Sequence, residues 1–274
     1  MSHRHLHQLL QALQAGPAVL VTVQAVQGSG PREVGAWMAV TAGEVINTIG
    51  GGHLEFQAID EARQIQPGAA ADLRRYPLGP SLGQCCGGVV HLRFEWVTPA
   101  DASALQARLL ANLAPVALFG GGHVGQALVH LLGTLPLAVT WVDSRDEIFP
   151  ANVPLNVRCE HSDPVQAAVA DLAPGSRVLI MSFSHAEDLD VVAACLQRQR
   201  TAGDLPYIGL IGSKSKWATF RHRLEARGFS GAELAWVTSP IGLPGITGKQ
   251  PEVIAVSVAA QLLLALQTPA TGKP

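Results

Sequence analysis

Glycine clusters and one cysteine pair hold the residues with most chemistry to offer. Gly120-x-Gly122-x-x-Gly125 follows the apolar run Val116-Ala117-Leu118-Phe119 and opens an Ala/Val/Leu stretch that begins at His123. In a strand-turn-helix setting the first glycine permits a tight turn and the second lets backbone approach a pyrophosphate. The third lets helix and strand pack, and unpaired N–H groups at the helix start attract the anion. Asp143 stands 18 residues past Gly125, at the end of the next apolar stretch, where a carboxylate would accept from a ribose. A plainer reading stays open, in which the turn needs glycine but an inherited fold holds no nucleotide.

A second glycine run, Gly50-Gly51-Gly52-His53, also sits between an apolar strand pattern and a helical one, and so forms a further anion site. Arg32, in Gly28-Ser29-Gly30-Pro31-Arg32, offers a guanidinium fork for phosphate. The alternative is two tight turns and a surface arginine. Leu82-Gly83-Gln84-Cys85-Cys86-Gly87-Gly88 flanks two adjacent thiols with glycine. Adjacent cysteines do not easily bridge to each other, whereas a soft thiolate can bind a transition metal, handle sulfur or act as a nucleophile; small residues in a turn are the alternative. Cys159 and Cys195 fall within a strand and a helix pattern and read as packing residues. Zinc spacing of the CxxC type is absent.

In a parallel sheet the ligand crevice lies off the carboxyl ends of the strands. Three later loops meet that condition: Ser182-Phe183-Ser184-His185 with Asp188 and Asp190 behind it, Gly212-Ser213-Lys214-Ser215-Lys216, and Ser239-Pro240-Ile241-Gly242. They offer an imidazole, hydroxyls, N–H groups and positive charge. A loop histidine and a solvated lysine face are the plain alternatives.

The elements that must position these groups divide the chain in two. Its 274 residues suit two domains, 1–112 and 113–274. The spacing predicts a helix over 6–13, strands over 18–26, 36–41, 44–49 and 89–97, and a helix over 53–65, an α+β unit. Residues 101–113 form a helical joint. Beyond it, strands over 116–119, 138–142, 156–159, 178–183, 207–211 and 235–237 alternate with helices over 123–132, 187–199, 214–227 and 251–266. That rhythm predicts an α/β fold: a C-terminal Rossmann-like parallel-sheet domain behind a smaller N-terminal α+β domain.

Composition narrows the partners. Hydrophobic residues make up 48% and charged residues 15%, enough apolar surface for packed cores. A formal net charge of -2 without a Lys/Arg block removes the basis for nonspecific binding to nucleic acid or an anionic membrane. No apolar run reaches the roughly 18 residues of a membrane span. The first residues lack a signal-peptide pattern, so the expected address is the cytoplasm, with reduced thiols.

Taken together, the motifs resemble the XdhC/CoxI family, accessory proteins of xanthine dehydrogenase and related molybdenum hydroxylases. The likeness is carried by Gly28-Ser29-Gly30-Pro31-Arg32 with Gly35, Thr48-Ile49-Gly50-Gly51-Gly52-His53-Leu54-Glu55 and Gln84-Cys85-Cys86-Gly87-Gly88. It continues through Phe119 to Gly125, Val142-Asp143-Ser144-Arg145, His185 with Asp188, Tyr207 to Lys214, Pro240 to Leu243, and Pro251-Glu252.

The resemblance implies a non-enzymatic chaperone for the molybdenum cofactor, as molybdopterin or its nucleotide conjugate, with room for a separate nucleotide. Such proteins shelter the cofactor, help a cysteine desulfurase exchange an oxo ligand for sulfur, and pass the product to the apo xanthine dehydrogenase or related hydroxylase. Under it, Arg32, Gly50, Gly51, Gly52, His53, Cys85, Cys86, Gly120, Gly122, His123, Gly125, Asp143, His185, Ser213 and Lys214 are the cofactor-binding candidates, and Cys85 or Cys86 lies near molybdenum. A homodimer is the default assembly. Two other readings stand beside it: an NAD(P)-dependent oxidoreductase using His185 and Lys214 as acid/base groups, and a nucleotide-sensing binding module.

Overall fold

The structure, a computed structural model, describes residues 3–79, 87–111 and 113–267. It divides into two compact units, Met1–Ala111 and Asn112–Pro274.

In the first unit, α1 (His3–Ala15) leads into β1 (Ala18–Gln27), β2 (Trp37–Val40) and β3 (Val45–Asn47); α2 (Gly52–Arg63), β4 (Asp72–Pro77), β5 (Val89–Val97) and α3 (Ala102–Ala111) follow. The strands form one antiparallel sheet in the order β3-β2-β1-β5-β4. Central β1 buries both faces. Val19, Val21 and Val23 join the core with Leu54 and Ala58 of α2, while Ala18 and Leu20 join Leu6, Leu9 and Leu13 of α1 and Leu105 and Leu109 of α3. Strand β4 was not expected. It is an edge strand of sequence Asp-Leu-Arg-Arg-Tyr-Pro with only Tyr76 buried, so it carries almost no apolar alternation to read.

The second unit contains β6 (Ala114–Phe119), α4 (His123–Leu132), β7 (Leu137–Asp143), β8 (Val157–His161), β9 (Arg177–Ile180), α5 (His185–Ala202), β10 (Tyr207–Leu210), α6 (Lys214–Ala226), α7 (Gly231–Leu234), β11 (Val237–Thr238) and α8 (Pro251–Gln267). All five strand pairings are parallel, in the order β11-β10-β9-β6-β7-β8. This is the doubly wound order, with its switch point between β6 and β9. Helices cover both faces, with α5 and α6 on one core and α4 and α8 on the other. Between β8 and β9 a 3-10 turn at Val165–Asp171 stands where a helix would complete the alternation. The four inner strands, β10, β9, β6 and β7, are short, largely apolar and mostly buried, as a covered parallel sheet requires, whereas the edge strand β8 is polar and partly exposed.

Candidate functional site

In the first unit the sequence motifs meet at one end of the sheet. Strand β1 ends at Gln27 and runs into the Gly28–Arg32 loop, and β3 ends at Asn47 before the Gly50–Gly52 loop. A Cβ at Gly50 would stand 2.5 Å from the Pro31 Cβ, so the two loops are packed face to face. Arg32 adds a hydrogen bond from Nη1 to the Thr48 carbonyl (3.3 Å). The last residue of the third motif, Gly88, meets the same loop. The Leu78 N–H donates to the Gly88 carbonyl at 2.7 Å, closing the base of the β4–β5 hairpin. A side chain at Gly88 would overlap the Ser29 and Gln27 carbonyl oxygens, so Gly88 is wedged against the Gly28–Arg32 loop. Cys85 and Cys86 lie outside the described residues.

The electrostatics of this end are mixed. Arg32 donates from Nε (3.1 Å) and Nη2 (3.0 Å) to Glu33 and holds that carboxyl at about 2. Glu55, in the first turn of α2, turns its carboxylate back and accepts from the Thr48 hydroxyl, the Ile49 N–H (2.9 Å) and the Gly51 N–H (3.1 Å). It thus fills part of the nest that the glycines create. What remains open is the start of α2, whose N-cap, Gly51, supplies no side-chain cap. Gly52 and His53 are exposed there.

In the second unit the glycine motif does what its geometry asks. Gly120 has φ +121°, and a Cβ there would overlap the Met181 carbonyl past β9. A Cβ at Gly125 would overlap the Gly120 carbonyl oxygen, which also accepts from Trp141 Nε1 at 3.0 Å. Helix α4 likewise starts uncapped, from Gly122, with Gly122 and His123 exposed.

Asp143 is engaged within the protein. Its carboxylate is 1% exposed and accepts from the Gly121 N–H (2.6 Å), the Arg145 N–H (2.9 Å), Arg145 Nε (2.8 Å) and Arg145 Nη2 (3.0 Å). Burial pushes the carboxyl up, but the guanidinium and the two N–H groups outweigh it and hold the group below the ordinary Asp range. No lone pair is left turned toward a ribose without displacing Arg145.

The loops past β9 and β10 are likewise braced by carboxylates. Ser182 and Phe183 donate their N–H groups to Asp188 (2.6 Å) and Glu187 (3.1 Å), and Glu187 also accepts from Ser144 Oγ at 2.8 Å. Lys216 Nζ sits between Asp188 (2.6 Å) and the Ile211 carbonyl (2.9 Å), with only 11% of its side chain exposed. Ser213 is the N-cap of α6 and accepts from the Lys216 N–H. The expected Lys214 is exposed, whereas Lys216, two residues on, is the inward lysine; helical phase decides between them. His185 begins α5 and is exposed, its ring edge-on to Phe220. The signal for Glu187 and Asp188 was their place in the first turn of a helix, where carboxylates are favoured.

Burial raises the thiols of Cys159 and Cys195, the latter to about 12, consistent with packing rather than reactivity. No helix among the described residues is long and apolar enough to cross a membrane.

An uncharacterised protein of Escherichia coli K12, YqeB, is 24% identical over 254 residues, 90% of this chain and 43% of that one. The chain thus spans less than half the length of that relative. A crystal structure from Bacillus halodurans, described as a xanthine dehydrogenase, superposes with a TM-score of 0.70 at 20% identity, over 100% of this chain and 98% of the other, and establishes the fold. The model of the XdhC and CoxI family matches residues 12–77, and that of the XdhC Rossmann domain matches residues 116–262, more than half of the chain. With both units matched in order, the chain belongs to the XdhC and CoxI family.

Proposed function

We propose that this protein receives the molybdenum cofactor in its first unit, supports its sulfuration alongside a cysteine desulfurase, and delivers it to an apo xanthine dehydrogenase or related molybdenum hydroxylase. Family membership supports the broader part of this reading, an accessory role in maturation rather than catalysis. The observation that carries the finer part is the convergence of three motifs at one sheet end: Arg32, Gly50–Gly52 and the anchor Gly88.

The donor set suits such a cargo. The guanidinium of Arg32 and the uncapped N–H groups opening α2 match the phosphate of a pterin. The thiols of Cys85 and Cys86 lie three and two residues before Gly88 in the sequence. A soft thiolate there suits sulfur exchange at molybdenum. Residues of the second unit, Gly120, Gly122, His123 and Gly125, belong under this reading to a separate nucleotide site.

The test is to produce the protein in cells that make the cofactor and to measure molybdenum and pterin per chain. Comparable amounts of both are expected, with a loss of at least about tenfold in Arg32→Ala and in one of Cys85→Ala or Cys86→Ala. An empty wild-type protein overturns the reading.

A further inference from the structure

The crevice at the switch point of the second unit holds features that the cargo reading leaves unused. Asp143 is saturated by Gly121 and Arg145. Arg145 keeps 35% of its side chain exposed, and its guanidinium lies 4.3 Å from the centre of the Phe183 ring, itself one of the exposed large apolar groups. Its Nη1 has no hydrogen-bond partner among the described residues. Further along the sheet, the hydroxyls of Ser182, past β9, and Ser239, past β11, are buried without a partner among the described residues. Buried hydroxyls are nearly always bonded, so two orphans past strand ends point to a ligand on that half of the sheet.

We propose that the second unit binds a dinucleotide whose adenosine ribose carries a 2′-phosphate, and that Arg145 is the residue that determines this choice. A plain ribose diol needs a free carboxylate at the end of β7, and here it must break the bonds from Arg145 to Asp143. A 2′-phosphate instead takes the unused donor of Arg145 and leaves Asp143 filled. The adenine ring stacks on the step formed by Arg145 and Phe183, where both a guanidinium plane and an aromatic face are offered. The pyrophosphate falls at the uncapped start of α4, and the second nucleoside continues across the ends of β9 and β11, where the Ser182 and Ser239 hydroxyls meet its polar groups. Features on both sides of the switch point fit a dinucleotide better than a mononucleotide.

This inference rests on the second unit alone and is independent of the cargo reading. It is tested by titrating the full chain with NADPH and NADH and following nicotinamide fluorescence, with 2′-AMP and 5′-AMP as competitors. NADPH is expected to bind at least about tenfold tighter than NADH, and 2′-AMP to compete better than 5′-AMP. Arg145→Leu should erase the preference, while Phe183→Ala should weaken both dinucleotides alike. Equal affinity, a preference for NADH, or no binding of either overturns the proposal. Because Arg145→Leu also unpairs Asp143, the wild-type competition decides alone if that variant fails to fold. Molybdenum measured on the same preparations keeps the two proposals separable.

Discussion

The tetrapeptide Gly-Gly-Gly-His occurs twice, at Gly50–His53 and at Gly120–His123, and folds in two ways. In the first unit all three glycines have positive φ and Gly51 is the cap, so the helix already includes Gly52. In the second, only Gly120 has positive φ, Gly122 is the cap, and the helix starts at His123. The residues around the tetrapeptide account for the difference. At the first loop the carboxylate comes from the same helix, three residues past Gly52, and pulls Ile49 and Gly51 around itself. At the second it comes from the neighbouring strand, and Gly125 lets the helix close onto the Gly120 carbonyl. The first loop is organised locally and the second by the sheet.

The largest test of that contrast is alanine substitution. Gly125→Ala drives a methyl into backbone and should lower the unfolding free energy of the second unit by more than about 3 kcal/mol in urea. Gly51→Ala meets nothing within 4 Å and should cost only the penalty of its positive-φ, extended backbone, about 1–3 kcal/mol. Equal losses would mean that both loops are held by the same kind of packing.

The carboxylates should follow in the same order. Asp143→Ala leaves the Gly121 N–H and Arg145 without their buried partner and should cost about 2–4 kcal/mol by equilibrium unfolding. Glu55→Ala removes a half-buried local brace and should cost about 1 kcal/mol, the scale of a helix cap.

The smallest effect is in acid. The folded-state pKa of Asp143 lies below its unfolded value, so its contribution to stability is complete above the ordinary Asp value of about 4 and is lost as the pH falls through the folded value. Thermal midpoints below about pH 4 should therefore fall less steeply in Asp143→Asn than in the wild type. An unchanged slope would show that Arg145 does not hold the charge.

How much of this was legible depends on where each signal resides. Strands β1, β6 and β7 are apolar runs bounded by Gly or Pro, and helix α4 begins at a glycine fingerprint, so both could be read from neighbouring residues. Strand β4 borrows its pairing from β5 and has little pattern of its own. The site divides in the same way. Glycine positions announce themselves because close backbone approach excludes every other residue. The partners of Asp143 and Lys216 do not, because each lies across a strand or a helix: Gly121 is 22 residues away and Asp188 is 28. The family resemblance named the relevant motifs, but not which donor meets which acceptor.

The wedge at Gly88 has a consequence for how this surface tolerates change. Leu78 is tied to Gly88, and Gly88 is seated on Ser29 and Gln27, so the approach to β5 is fixed against the loop that follows β1. A β-carbon at Gly88 would press on the Ser29 and Gln27 carbonyl oxygens and part the start of β5 from the Gly28–Arg32 loop. Engineering of this surface therefore has almost no freedom at that footing.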